Sequence, residues 1–266
     1  MPTKESLFGG SVRGGELYFF HGGSIMISIT HKDSTMNHPF VFINVAMTAD
    51  GKIDTFERKG SAISSAQDKA RVDRLRAESD AVLVGGRTLL DEDPKLTVKS
   101  EALRLERAAR GLPPNPMKVG VVTRAALEPH SKFLHEGMAR VVIFTTNRTS
   151  KEQLAFLRAQ GAETFVHEAE RVNLGVALAT LKELGVQKLM VEGGATLNFE
   201  FLRLGLADEL SVYIAPMLFG GESAPTLAAG SGLERSAAVP LKLVRVERQE
   251  DGGLVLHYQI QDLRKT

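Results

Sequence analysis

The 266-residue sequence predicts an α/β protein: a mostly parallel mixed sheet, helices on both faces, and antiparallel strands at its C-terminal end. Three observations predict it. From Pro39 to Gly205 short apolar runs alternate with helix-period segments, the pattern of parallel strands joined by crossover helices. Two of those runs end in paired glycines followed by a helical pattern, at Val84-Gly85-Gly86 and Val191-Glu192-Gly193-Gly194. The chain closes on two β-rich runs, residues 241–246 and 254–260, across Asp251-Gly252-Gly253, which reads as a hairpin.

Residues 1–38 do not fit this pattern. Gly9, Gly10, Gly14, Gly15, Gly22 and Gly23 cut them into short pieces, with apolar patches at Leu17-Tyr18-Phe19-Phe20 and Ile25-Met26-Ile27. The patches are too short for a signal-peptide core. The segment reads as a tail, disordered or an over-extended start, with Met36 a sensible true beginning, and residues 39–266 as one domain.

Phe40-Val41-Phe42-Ile43-Asn44-Val45-Ala46 is a strand by its β-branched and aromatic content, and Thr48-Ala49-Asp50-Gly51 is the turn after it. Ser64 or Ser65 caps a helix that runs to about Glu78, with Val72, Leu75 and the stem of Arg76 at helical spacing. Residues 81–84 form the next strand. It passes through Gly85-Gly86-Arg87-Thr88 into a helix that Asp91-Glu92-Asp93-Pro94 ends. Residues 100–118, charged and then Pro-rich, read as an exposed excursion. Strands follow at 119–122, 141–144 and 164–166, and helices at 150–160 and 174–184, before the strand at 188–191. Residues 209–215 are a strand and 216–232 a Gly/Pro loop.

Composition excludes several classes. Hydrophobic content of 43% and charged content of 24% are those of an ordinary globular protein, and the net charge of +1 suggests neither a nucleic-acid nor a membrane partner. The absence of cysteine removes disulfides, thiolate zinc sites and a thiol nucleophile. No two of the seven histidines stand four apart, so no metal is expected. Ser64-Ser65 has no nucleophile elbow around it.

The chemistry lies in the Gly-Gly units. A strand–Gly–helix turn aims free backbone N–H groups and the positive end of a helix dipole at a ligand above the strand. Glu-Gly-Gly is also an ordinary tight turn with a surface carboxylate, but two such units facing one crevice suit a pyrophosphate. Thr88 and Thr196 stand in the first turn of each helix as hydroxyl donors. Neither unit matches the Rossmann or P-loop fingerprint. Arg87, Arg124 and Arg148 follow strand ends and suit a 2′-phosphate, which favours NADPH over NADH; each is equally a solvated surface arginine. The modest inventory of acids and bases fits a reductase better than a hydrolase.

The segments Asn44-Val45-Ala46-Met47-Thr48-Ala49-Asp50-Gly51-Lys52-Ile53, Leu75-Arg76-Ala77 with residues 80–98, and Val191-Glu192-Gly193-Gly194-Ala195-Thr196-Leu197 with residues 205–216 resemble the pyrimidine-ribotide reductase family of riboflavin biosynthesis. The resemblance implies a dihydrofolate-reductase-like fold, a cytoplasmic homodimer and NADPH as the reductant of a ribosyl side chain. It places Ala46, Gly85, Gly86, Arg87, Thr88, Glu92 and the run Gly193, Gly194, Ala195, Thr196, Leu197, Asn198 at the cofactor. It places Asn44, Ser61, Arg76, Leu96 and Glu192 at the ribotide, with Arg76 and Lys99 toward its 5′-phosphate and Glu192 on its ribose hydroxyls. Glu192 as a proton relay is a further expectation. The boundary between cofactor and substrate then falls between residues 192 and 193. Asn at 44 resembles the stand-alone enzymes, which act before deamination, so the 2,5-diamino ribotide is favoured; the alternatives are the deaminated ribotide, a pterin, or a silent NADP-binding protein. Glu92 stands where the family usually has Asp. For the dimer, residues 210–214 and 217–219 are the expected interface.

Overall fold

The computed structural model describes residues 38–60 and 62–261, preceded by the backbone of three short strands: Gly10–Arg13 (β1), Glu16–His21 (β2) and Ser24–Ile27 (β3). These three pair antiparallel in the order β1-β2-β3. Met36 and Ser61 lie outside the described residues.

The main sheet contains Phe40–Thr48 (β4), Ala81–Gly85 (β5), Met117–Val121 (β6), Val141–Thr146 (β7), Glu163–His167 (β8), Lys188–Val191 (β9), Glu209–Ala215 (β10), Leu241–Arg248 (β11) and Leu254–Ile260 (β12). Its order is β11-β12-β10-β4-β9-β5-β6-β7-β8. All neighbours from β10 to β8 pair parallel, and β12 pairs antiparallel with both β10 and β11. The fold class read from the sequence is therefore the one observed.

Period-two alternation divides the core. Val41, Ile43, Leu83, Val119, Val142, Leu189 and Val191 face one side and bury against Leu174–Glu183 (α5) and Ala195–Arg203 (α6). Phe42, Val82, Val84, Ile143 and Met190 face the other, under Ala66–Ala77 (α1), Lys132–His135 (α3) and Lys151–Ala159 (α4). Strands buried on both faces read as continuous apolar runs, and these do.

Two segments depart from the sequence reading. The helix expected after Gly86 is a single π turn, Thr88–Glu92, because Asp93 enters the left-handed region (φ 45°) and Pro94 follows it. The Asp93 carboxylate then takes Ser131 Oγ at 2.7 Å, Lys132 N at 2.7 Å and Phe133 N at 3.0 Å, fixing the start of α3. Residues 100–118 are largely exposed up to Gly111, as expected, but they are not irregular: Glu101–Ala109 is a helix (α2), capped by Ser100 and anchored by Arg107, which is 1% exposed. Arg107 donates to the carbonyls of Ala77, Ser79 and Pro113 at 2.7–2.8 Å, closing off the end of α1.

Lys118 on β6 is 0% exposed and donates to Phe133 O at 3.0 Å and to Glu136 O, the free carbonyls at the end of α3. Burial pulls its ammonium down from 10.5 to about 8, with Glu136 and Asp93 opposing. Between those values the unfolded chain holds a proton that the folded chain has released, so Lys118 makes stability rise with pH across that window. The difference in urea-unfolding free energy between wild type and Lys118→Met should grow from pH 8 to 10, by up to about 1.4 kcal/mol per pH unit. A difference that stays flat with pH contradicts it.

Candidate active site

The carboxyl ends of β4, β9 and β5 open into a cleft of about 330 Å³. Open α/β sheets place ligands here, where crossover helices diverge to opposite faces. Helix α1, which follows β4, walls one side. Helix α6, which follows β9, walls the other. Ile43 pairs with Val191 across β4 and β9, so Asn44 and Glu192 stand level, one residue further on, and alternation points both toward α1.

There Glu192 meets Arg76. Arg76 Nε donates to Glu192 Oε1 at 2.6 Å and Nη2 to Oε2 at 2.7 Å, a fork-on-fork pair, while Nη1 donates to Thr97 O at 3.2 Å. The two side chains are 16% and 13% exposed. Burial lowers the Arg76 pKa, but the charge and hydrogen bonds of Glu192 outweigh it and hold the guanidinium above its ordinary value. Glu192 N also donates to Leu83 O at 3.0 Å, so both backbone and side chain are fixed.

Past Glu192 the chain turns sharply. Gly193 has φ +100° and its carbonyl accepts from Gly85 N at 2.7 Å; the Gly193–Gly194 peptide is cis. Gly194 is the N-cap of α6 and brings no side chain to it, so the first amides of this helix are left for a ligand. Gly85 and Gly86 have a packing reason as well: a Cβ on Gly85 would meet Leu197 Cβ at 3.2 Å, and one on Gly86 would meet Val122 Cγ2 at 3.0 Å.

Two buried carbonyl oxygens in the cleft, Asn44 Oδ1 and Asn198 Oδ1, accept no hydrogen bond. Buried acceptors left without partners mark places where a ligand donor completes the site. Asn198 Nδ2, by contrast, donates to Leu227 O at 2.9 Å. Glu92 has its carboxyl raised by burial first, against a lowering hydrogen bond from Thr88 and with Asp54, Asp91 and Glu192 adding to the rise.

The structure gathers Asn44, Ala46, Arg76, Thr88, Glu92, Lys99, Glu192, Gly193, Gly194 and Asn198 in this cleft. Others expected there stand elsewhere. Leu96 is 1% exposed in the core, with a left-handed backbone (φ 49°), so its side chain does not face a ligand. Thr196 is exposed and outside the lining, as are Arg87 and Arg124; Arg148 pairs with Glu170 at 3.4 Å. Only α6, not the π turn, offers a full helix N-terminus. The sequence reading missed Lys69, Val72 and Asp73. They share one face of α1 with Arg76 at i, i+3, i+4 and i+7, a signal that the spacing carried.

A carboxylate, unsatisfied acceptors and an uncapped helix N-terminus at the strand ends make a cleft suited to an anionic, hydroxyl-bearing ligand, at the place where open α/β sheets bind theirs. The chain belongs to the RibD C-terminal domain family, whose model matches residues 39–255. It is 40% identical over 215 residues to the 2,5-diamino-6-ribosylamino-4(3H)-pyrimidinone 5′-phosphate reductase of Archaeoglobus fulgidus, covering 81% of this chain and 94% of that one. It is 43% identical over 208 residues to the reductase of the same name from Methanothermobacter thermautotrophicus, covering 78% and 92%. Among solved structures, RibD of Acinetobacter baumannii superposes with a TM-score of 0.69 at 26% identity, over 84% of this chain and 58% of that one.

At Gly193 a methyl group has room, since the nearest atom to a built Cβ is Asn198 Nδ2 at 3.7 Å, so the penalty of a side chain is conformational. Gly193→Ala should lower stability by about 1–3 kcal/mol in urea unfolding. An unchanged midpoint would show that the turn tolerates an L-residue.

Proposed function

We propose that the protein is an NADPH-dependent reductase that converts the ribosyl side chain of 2,5-diamino-6-(ribosylamino)-4(3H)-pyrimidinone 5′-phosphate to the ribityl form in riboflavin biosynthesis. The observation that carries this reading is the single cleft that unites Glu192, the two unsatisfied asparagine oxygens and the uncapped start of α6. The names of the relatives from A. fulgidus and M. thermautotrophicus support the undeaminated substrate.

The residues fit a phosphorylated dinucleotide. The first amides of α6, beside Gly193 and Gly194, suit its diphosphate, and Asn198 Oδ1 suits a hydroxyl or amide donor. Arg87 and Arg124, exposed after β5 and β6, are the cations offered to a 2′-phosphate. When bound, NADPH supplies the hydride for C1′ of the opened sugar.

The chain's own part is to hold the ribotide and manage its protons. Each Glu192 oxygen accepts one Arg76 hydrogen bond and keeps a lone pair for the ribose hydroxyls and for a proton in transit. Asn44 Oδ1, level with Glu192 on the neighbouring strand, takes a further donor of the ribotide. Substrate contacts then lie on the α1 side of Glu192 and cofactor contacts on the α6 side.

Among the described residues no helix is long and apolar enough to cross a membrane. We place the enzyme in the cytoplasm as a homodimer. Of the expected interface, residues 210–214 lie between β12 and β4, with Leu210, Val212 and Tyr213 buried, while Met217 and Leu218 of residues 217–219 are exposed. The sheet itself ends at β11, whose Leu241, Leu243, Val244 and Val246 are exposed as well. An apolar edge strand of this kind is a pairing surface.

Three experiments test this reading. Purified protein should oxidise NADPH with the 2,5-diamino ribotide, and faster than with the deaminated ribotide or with NADH; no turnover of either ribotide contradicts the proposal. Glu192→Gln should cut kcat by about 100-fold or more; near-normal turnover removes Glu192 as the relay. By light scattering the protein should be a dimer and Val246→Lys a monomer.

A further inference from the structure

Residues 216–229, which follow β10, are fastened to the chain on either side of the cleft. Asp50 holds the first part. Its carboxylate takes the Thr48 hydroxyl at 2.5 Å, Gly220 N at 2.7 Å and Phe219 N at 3.3 Å. The next part pairs with the chain that follows β4. Lys52 and Thr226 form an antiparallel bridge, Ile53 N donates to Pro225 O at 2.9 Å, Lys52 Nζ to Ala224 O at 3.3 Å and Arg58 Nη2 to Ser223 O at 2.9 Å. The last part docks on the first turn of α6. Leu227 O accepts from Asn198 Nδ2 at 2.9 Å, and Ala229 N donates to Ala195 O at 3.0 Å.

Two of these contacts are close neighbours in the loop: Pro225 O holds Ile53, and Leu227 O holds Asn198. Both Ile53 and Asn198 line the cleft. Asn198 is 0% exposed, and the grip on its Nδ2 leaves Oδ1 as the buried acceptor without a partner. A ligand donor that binds Oδ1 therefore acts on an amide whose other end is fastened to the loop. From Ile53 the chain runs on to Gly60, where a Cβ would come within 3.9 Å of Glu92 Cγ, also in the cleft lining. No residue from 51 to 60 is buried, and Phe56 is 69% exposed. The position of this segment rests on hydrogen bonds more than on packing, and segments of that kind open at low cost in free energy.

We propose that residues 216–229 are a strap that couples the two ligands: a cofactor seated on Asn198 orders residues 52–60 across the cleft in which the ribotide binds. Each ligand then tightens the other, because coupling between two sites is reciprocal. Arg58, outside the cleft lining, is a positioning residue that fastens the strap. This rests on the ribotide reading above, and proteolysis tests it without the ribotide.

Ribotide binding is measured by calorimetry with and without NADP+, which allows a ternary complex without turnover. In the wild type NADP+ should tighten the ribotide about 5-fold or more, and in Arg58→Ala the effect should fall below about 2-fold. Arg58→Lys, which keeps a donor for Ser223 O, should restore most of it. In parallel, trypsin cleavage after Lys59, whose side chain is 78% exposed, is followed by mass spectrometry. NADP+ should slow this cleavage in the wild type and in Arg58→Lys, and not in Arg58→Ala. No coupling in the wild type, or coupling of equal size in Arg58→Ala, overturns the proposal. If the protein binds no ribotide, the proposed function fails while proteolysis still decides: protection at Lys59 that depends on Arg58 sustains the strap, and protection that is absent or independent of Arg58 overturns it. A protein that binds no NADP+ overturns both.

Discussion

The Arg76–Glu192 pair is the contact on which the site depends. It ties α1, which lies between β4 and β5 in the chain, to the residue just past the end of β9, which is inserted between those two strands in the sheet. A mostly buried ion pair of this kind is weak ground for claiming net stability, because desolvating both groups offsets their attraction. Its consequence is geometric. The carboxylate is held at one height above the sheet, level with Asn44 and one residue before the turn into α6.

Helix α1 shows how fold and site share residues. It has no continuous apolar stripe. Its cap is Ser65, whose hydroxyl accepts from Asp68 N at 3.1 Å. Arg71 pairs with the buried Asp68 at 2.7 Å and donates to Ser211 Oγ at 3.0 Å, Asp73 grips residues 99–100, and Arg107 closes the far end. Most of these attachments are polar and directional, which fixes the helix in rotation as well as position. An apolar stripe would let it slide. A helix held this way presents Lys69, Asp73 and Arg76 to the cleft at defined positions.

Much of this was legible in the sequence, for physical reasons that can be named. Parallel strands buried on both faces must be continuous apolar runs, so β4, β5, β7 and β9 were visible at once. Glu192-Gly193-Gly194 was visible because a positive φ at Gly193 needs glycine. The π turn at Thr88 was not, since its end is set by Asp93 in the left-handed region and by contacts to α3, 38–40 residues away. Helix α2 was hidden because its charged residues suggested solvent, whereas Arg107 is buried by carbonyls that no local pattern reveals. Lys69 lies outside the apolar pattern of α1, because the face turned to the cleft carries Lys69, Asp73 and Arg76 around the single apolar Val72. Leu96 was placed at the substrate by resemblance; its burial depends on the fold around it.

The central claim is that Arg76 and Glu192 act as one unit. The most direct measurement is a double-mutant cycle in kcat/KM over wild type, Arg76→Gln, Glu192→Gln and the double variant. Residues that act as one unit give a double variant no worse than Glu192→Gln alone, and that is the result this account predicts. Losses that multiply would mean that the two residues act independently, and would contradict it.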